Sequence, residues 1–233
     1  MKKYMSNAFK GFLCILIYLF SSKLELGLLD IFNVDYNSLP LNMKVTYLIM
    51  WEIVIIGTIA LILNKQLSKD INDMKKNHKS YFKKYFKFWL ISIGIMMMSN
   101  AIIGILNKGA IAGNEATLRE SFKISPLYIF FSSVIYAPIC EELIFRRSFR
   151  NMIPNKFIFI LVSGLVFGGL HVIGSYSNPA DLFYLIPYCA PGIAFAYMLA
   201  DSDNVLISMG LHFMHNGILM SLQFLALILG VSV

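Results

Sequence analysis

Charged residues are scarce in this sequence. Only 14% of its 233 residues are Asp, Glu, Lys or Arg, whereas 58% are hydrophobic, and the mean hydropathy is +0.67. Soluble domains contain about 25% charged residues, so the composition excludes an ordinary water-soluble domain. We therefore expect an integral membrane protein.

Cysteine is also rare. Cys14, Cys140 and Cys189 are odd in number, far apart and placed within apolar stretches. Neither a disulfide framework nor a zinc cluster is indicated by such a pattern. We interpret the three thiols as packing residues.

Acidic residues are fewer than basic ones, and the formal net charge is +7. A positive charge could indicate a nucleic-acid partner. The lysines, however, lie between apolar runs, where they are typical of the positive-inside pattern of membrane proteins. We expect membrane lipid and no nucleic acid as partners.

About seven apolar runs, with six to eight possible, come close to the ~20 residues that a bilayer requires. They cover residues 11–29, 45–63, 86–106, 126–153, 157–173, 181–200 and 205–233. A signal peptide is the alternative for the first run, but no small-residue cleavage site follows it. The chain contains no repeat and no low-complexity linker, so we predict an all-α, polytopic helix bundle forming a single domain, 1–233.

The connections between the runs predict the orientation. Residues 65–87 are rich in lysine, and the fourth connection carries Arg147, Arg150 and Lys156, so both should be cytoplasmic together with the N-terminus. The connections at 30–35, 107–123 and 174–179 should then lie outside. The connection at 201–203 should lie inside although it lacks Lys and Arg. The Lys-, Ile- and Asn-rich usage is typical of bacteria, which predicts the bacterial plasma membrane.

The lysine-rich stretch has two interpretations of its own. It is either a solvated loop or a basic amphipathic helix on the membrane surface, since aromatic residues interleave with its lysines.

Two adjacent carboxylates, Glu141 and Glu142, stand at the end of an apolar run. A charge within a transmembrane helix costs roughly 2.5–3.5 kcal/mol or more, so it usually has a partner or a function. On a helix Glu142 and Arg146 share a face, whereas Glu141 points about 100° away. The spacing predicts that Arg146 keeps Glu142 ionised and that Glu141 is the reactive carboxylate. Pro138, one turn earlier, is expected to kink the helix.

Two further motifs interrupt the apolar background. His171 follows Phe167 by one helical turn, and His212 and Asn216 lie four residues apart on one face. A single membrane histidine often only bridges helices, but six polar groups on three helices would be a costly way to hold a bundle together. If the chain turns near Asn155, Glu141 and His171 lie roughly 21 and 24 Å from that turn and can meet. A turn nearer Asn151 is the alternative and would leave a mismatch of about 15 Å between them.

Two glycines of the fifth span are interpreted as packing residues rather than catalytic ones. Gly164 and Gly168 form a small-residue face that lets the fifth span approach a neighbour closely.

Glu141-Glu142-x-x-x-Arg146, Phe167-x-x-x-His171 and His212-x-x-x-Asn216, in this order, resemble the CPBP family of CAAX proteases and bacteriocin-processing enzymes, also called the Abi family. The resemblance covers residues 126–220, which would form the catalytic core. It implies an intramembrane endopeptidase with an all-helical fold and a polar cavity open to the cytosolic side. By the same resemblance, Glu141 and His171 would activate water, His212 and Asn216 would stabilise the oxyanion, and Glu142 with Arg146 would order the site.

The chemistry of these residues agrees with such roles. Peptide hydrolysis needs a general base and fixed donors for the developing oxyanion, and no cofactor is required for either. A zinc site of Glu141, His171 and His212 is the alternative, because two histidines and a glutamate form a known catalytic ligand set. The His-Glu-x-x-His helix that would favour zinc is absent.

Three functional classes follow from these observations. We favour a protease that cuts a membrane-associated peptide or protein, as in bacteriocin or signal-peptide maturation or CAAX-type processing. A non-catalytic immunity or scaffold protein of the same fold is the second, and a transporter is the third, although inverted repeats with broken helices are not seen in the sequence. The substrate, the scissile bond and the oligomeric state stay open.

Overall fold

The computed structural model describes residues 2–230, and all regular secondary structure within them is helical. The helices are α1 (Lys2–Ile31), α2 (Leu41–Ile62), α3 (Asn64–Leu106), α4 (Gly113–Ile124), α5 (Pro126–Met152), α6 (Lys156–Ile173), α7 (Leu185–Ser202) and α8 (Val205–Ile228). Seven of these eight, all except α4, are long and apolar enough to cross a membrane, α7 together with the 3-10 turn Pro179–Tyr184 before it. The expected all-α, multi-pass membrane protein is confirmed. Met1 and the end of the predicted last span, 231–233, lie outside the described residues.

The hairpin between α5 and α6 turns at the residue that the sequence predicts. The Asn155 side chain accepts a hydrogen bond of 3.0 Å from the backbone N–H of Ile158. A helix leaves its first N–H groups without partners, and an Asn at this position satisfies one of them. The cap fixes the position of the turn, from which the distances to Glu141 and His171 along their helices are measured.

The α5 helix is not a regular α-helix. Its segments Phe131–Tyr136 and Glu142–Ser148 are π-helical. At the first of them, the N–H of Ala137 donates to the carbonyl of Ser132, five residues back. The next residue, Pro138, has no N–H. The carbonyl of Ser133 therefore has no donor within its own helix. The sequence predicts a kink at Pro138 but not this free carbonyl.

The α3 helix continues the predicted third span in the N-terminal direction. It has 43 residues, about 64 Å, or twice the hydrocarbon thickness of a bilayer. The lysine-rich stretch is thus helical, and its interpretation as a loop is wrong. Tyr85 and Trp89 pack in one buried cluster with Phe195 and Met198 of α7. Tyr85 of this stretch therefore contacts the protein, whereas Phe82 is 51% exposed.

The acidic connection between α7 and α8 obtains positive charge from other helices. Asp201 pairs with Lys84 at 2.6 Å, and Asp203 pairs with Lys69 at 2.7 Å and with Arg147 at 3.2 Å. Partial burial raises the pKa of Asp203, but Lys69 and Arg147 outweigh it and hold that pKa below its usual range. These contacts place the 201–203 connection at the basic end of the bundle although it has no Lys or Arg of its own.

Arg147 is not the loop residue that the sequence suggests. It lies within α5, is 4% exposed and also pairs with the buried Asp70 of α3. Breaking such a pair would leave an uncompensated buried charge, so Arg147 joins α5, α3 and the α7–α8 connection.

Close approach of α6 and α7 depends on glycine. A Cβ atom on Gly164 would lie 3.0 Å from the backbone nitrogen of Ile193, and one on Gly168 would lie 2.8 Å from that of Cys189. Distances this short between a side chain and a neighbouring backbone are not tolerated, which confirms the small-residue face. Cys189, like the other two cysteines, is a buried free thiol.

Candidate active site

All three polar motifs face one cavity of about 670 Å³ in the interior of the bundle. Its polar lining includes Glu141 of α5, His171 of α6, and His212, His215 and Asn216 of α8. Aromatic side chains from α6 and α7 form other parts of the wall. The motifs are up to 75 residues apart in the sequence (216 − 141), so only the packing of α5, α6 and α8 brings them together.

The predicted ion pair of Glu142 and Arg146 is present, with 3.5 Å between Oε1 and Nε, and both side chains are fully buried. Arg146 also donates from Nη1 to the Ser163 hydroxyl at 3.0 Å, and that hydroxyl donates to the carbonyl of Phe145 at 2.6 Å. The guanidinium lies 4.6 Å from the ring centroid of Phe167, a cation–π distance. A carboxylate, a hydroxyl and an aromatic face thus hold Arg146 in one position.

His212 bridges the two glutamates. Its Nδ1 lies 3.2 Å from Oε1 of Glu142, and its Nε2 lies 3.8 Å from Oε2 of Glu141. The ring stacks on Phe195 with 5.1 Å between centroids. Because an ionised carboxylate only accepts, Nδ1 carries the hydrogen and donates to Glu142. The sequence predicts His212 as an oxyanion donor, or in the alternative as a zinc ligand, and does not predict this bridge.

His171 has a defined orientation. Its Nδ1 lies 2.9 Å from the carbonyl oxygen of Phe167, and its ring stacks on Tyr188 at 4.9 Å. A carbonyl can only accept, so Nδ1 carries the hydrogen, and Nε2 of the neutral ring is an acceptor. Within the described part of the chain, His171 and Glu141 form no ion pair within 4.0 Å. They share the cavity without direct contact.

Asn216 satisfies the carbonyl that α5 leaves free. Its Nδ2 donates to the carbonyl oxygen of Ser133 at 2.7 Å. This is the oxygen orphaned by the π-helical turn and Pro138. One amide hydrogen of Asn216 is therefore already engaged, and its position over the cavity depends on that turn.

Sequence reasoning missed one further polar residue in the cavity lining, His215, and one that supports α5 from outside that lining, Glu52. His215 is 8% exposed and lines the cavity between His212 and Asn216 on the same helix. Glu52 of α2 is buried and accepts hydrogen bonds from Ser132 at 2.7 Å and Tyr128 at 3.2 Å, so it braces the π-helical turn from the other side. The available signals were a histidine adjoining the third motif and a lone glutamate within the second apolar run.

The cavity reaches the end of the bundle that lies away from the basic connections. Its lining includes Asn114, Glu115 and Arg119 of α4, and Gln223 near the end of α8. The connection at 107–123 is therefore not a simple loop, because it contains most of α4. If the basic connections are cytoplasmic, the cavity does not open to the cytosolic side, so these two expectations cannot both hold.

The zinc alternative does not fit the donor geometry. Within residues 2–230, no group of three or more His, Cys, Asp and Glu side chains is arranged to hold a metal ion. Glu141, His171 and His212 line one cavity but do not form a ligand set. The reaction proposed below therefore contains no metal-bound step.

Known proteins match the part of the chain that builds this site. The family model of type II CAAX prenyl endopeptidase Rce1-like proteins matches residues 123–218. YdiL of Bacillus subtilis strain 168, named as a proposed membrane peptidase, is 28% identical over 137 residues. YvdC of Lactococcus lactis subsp. lactis is 24% identical over 141 residues, and an uncharacterized protein of Mycoplasma capricolum is 29% identical over 153 residues.

These matches cover 55–58% of this chain and 44–52% of each relative. The chain thus spans about half the length of the curated relatives it matches. No solved structure matches the chain. The matched segment contains all three motifs and every polar residue that they contribute to the cavity, so the predicted resemblance to the CAAX proteases is confirmed for residues 123–218.

Proposed function

We propose that this protein is an intramembrane endopeptidase that hydrolyses a peptide bond with water activated by Glu141. The observation that carries the proposal is the unequal setting of the two glutamates. The Glu141 side chain is 17% exposed and faces a cavity with three histidines, whereas Glu142 is fully buried against Arg146 and His212. One carboxylate can reach water, and the other holds the site together.

The proposed reaction begins with a water molecule in the cavity. Glu141 takes a proton from this water, and the resulting hydroxide attacks the scissile carbonyl. Nε2 of His171 is the second acceptor on the cavity wall and orients the water. The tetrahedral intermediate then expels the amine, which takes the proton from Glu141, so Glu141 returns to its initial state.

The developing oxyanion needs donors that are already in place. We propose that Nε2 of His212, when the ring is protonated, and the second amide hydrogen of Asn216 supply them. The bonds from His212 to Glu142 and from Asn216 to Ser133 fix both side chains before substrate arrives. Glu142 and Arg146 act on the reaction only by positioning His212.

We further propose that the basic end is cytoplasmic and that substrate enters from the outside, past α4. This assignment follows the lysines of the present chain instead of the cavity side implied by the family. It favours an exported or membrane-associated peptide as the substrate. The protein would lie in the bacterial plasma membrane with its N-terminus inside.

Reporter fusions test this orientation. A reporter inserted near Lys76 or Asn151 is expected to report cytoplasm, and one near Asn114 is expected to report the exterior. The Asn114 fusion also tells on which side the cavity opens, because Asn114 lines the cavity. Export of the Lys76 reporter would reverse the orientation and move substrate entry to the cytosol.

Chelation tests the metal-free mechanism. Purified protein is assayed with candidate membrane-associated peptides before and after exhaustive treatment with a chelator. Since no described donor group is arranged as a metal site, turnover is expected to stay within about twofold of the untreated rate, against roughly 10²-fold or greater losses when a catalytic metal is removed. Loss of activity that zinc restores would make Glu141 and the histidines ligands. Failure to cut any peptide would favour the non-catalytic immunity or scaffold function.

A further inference from the structure

A second cavity, of about 720 Å³, lies at the basic end of the bundle. The N-terminal part of α1, the start of α3, the end of α5 and the α7–α8 connection form its walls. Glu141 and the histidines do not line it, so it is separate from the candidate active site. Its lining is strongly cationic and includes Lys10, Lys65, Lys69, Arg147 and Arg150.

Two of these five cations are already neutralised. Arg147 pairs with Asp70, and Lys69 pairs with Asp203, and these two aspartates are the acidic residues in the lining. Lys10, Lys65 and Arg150 have no carboxylate partner within the described residues. The cavity thus has an excess of about three positive charges, by subtracting the two aspartates from the five cations.

The wall that carries these charges is held in place before any ligand binds. A Cβ atom on Gly11 would lie 2.6 Å from the carbonyl oxygen of Ser148, so α1 rests directly on α5 beside Lys10. Gln66 and Asn151 exchange two amide hydrogen bonds, of 2.9 and 3.1 Å, across the cavity lining. Cations on helices that are held together, with amide and hydroxyl groups among them, match the oxygens of a phosphate group.

The helices that form this cavity also carry exposed apolar side chains. Phe9, Leu61 and Phe157 are 65%, 72% and 70% exposed, and each lies within three residues of a residue in the cavity lining. In a membrane protein, exposed side chains of this kind contact acyl chains. Basic pockets between helices at a membrane interface bind anionic lipid headgroups.

We propose that this cavity binds a phosphate-bearing headgroup, with Lys10, Lys65 and Arg150 as its cationic contacts. The exposed apolar side chains on the same helices favour a phospholipid, and a soluble phosphate ester has the same headgroup chemistry. The site does not depend on peptidase activity. It ties α1, α3 and α5 together at the end of the bundle remote from Glu141.

The test measures lipid binding by native mass spectrometry of the full chain in a neutral detergent. Lys10→Gln with Lys65→Gln removes two cations that make no ion pair, and phosphatidylglycerol affinity is expected to fall about 30-fold. Adding Arg150→Gln should bring the loss to about 150-fold. Lys75→Gln with Lys76→Gln is the matched control, because these exposed lysines of α3 lie outside the cavity; its affinity should stay within about threefold of wild type.

Competition identifies the source of the phosphate. Phosphatidylcholine and glycerol 3-phosphate are titrated alongside phosphatidylglycerol. Weak binding of both would assign the site to an anionic lipid, whereas displacement of phosphatidylglycerol by glycerol 3-phosphate would assign it to a soluble phosphate ester. Equal phosphatidylglycerol affinities for the double variant, the control and the wild type would overturn the proposal.

Discussion

Replacing Glu141 with glutamine is expected to abolish peptide cleavage without weakening the fold. Glutamine has the same shape but cannot take a proton from water, and loss of a general base lowers the rate by about 10²–10⁴-fold. The only contact that the described residues give the Glu141 carboxylate is His212 Nε2 at 3.8 Å, too long for a hydrogen bond. Removing a charge from the bilayer interior is favourable, so the melting temperature of the purified variant should equal or exceed that of wild type.

The matched control for this substitution is Glu120→Gln. Glu120 lies on α4 with its side chain 71% exposed, and it pairs only with Lys123 at the surface. Its activity and melting temperature should both match wild type, because exposed pairs contribute about 0–1 kcal/mol. A Glu141→Gln protein that still cuts peptide at full rate would contradict the proposed mechanism. One that is inactive but also melts early would make Glu141 a structural residue.

Arg146→Ala is expected to be both unstable and inactive. The substitution leaves Glu142 buried without its cation and also removes the donor to Ser163 and the contact with Phe167. Removing one partner of a buried ion pair costs about 3–5 kcal/mol of unfolding free energy. Denaturant titration in detergent measures this loss, and the displaced Glu142 should no longer hold His212.

A double-mutant cycle separates the ion pair from simple packing. Glu142→Gln removes the other charge, so the double variant of Glu142→Gln with Arg146→Ala should lose less stability than the two single losses added together. Lys123→Ala, at an exposed surface pair, is the control and should change stability by no more than about 0.5 kcal/mol. Additive losses at Glu142 and Arg146 would show that the two charges do not stabilise each other.

The membrane character, the helical class and the three motifs are visible in the sequence because they depend on composition and short spacing. A pair of residues four apart, such as Glu142 and Arg146, lies on one face whatever the rest of the chain does. An Asn before an apolar helix caps it locally, and this places the α5–α6 turn at Asn155. The resemblance to the CAAX proteases follows from the same local patterns, since each motif lies within one or two helical turns.

The arrangement of the site depends on which helices become neighbours, and spacing along one helix does not contain that information. His212 bridges two glutamates only because α8 packs against α5, and Asn216 reaches Ser133 only because a π-helical turn beside Pro138 frees that carbonyl. The position of α4 beside the cavity and the burial of Arg147 against Asp70 likewise depend on contacts between residues that are distant in sequence. The sequence by itself thus determined a membrane-embedded helical bundle and three motifs of polar side chains that resemble those of the CAAX proteases. Tertiary packing decided how these side chains pair, which end of the bundle the cavity reaches, and that a second, cationic cavity forms at the other end.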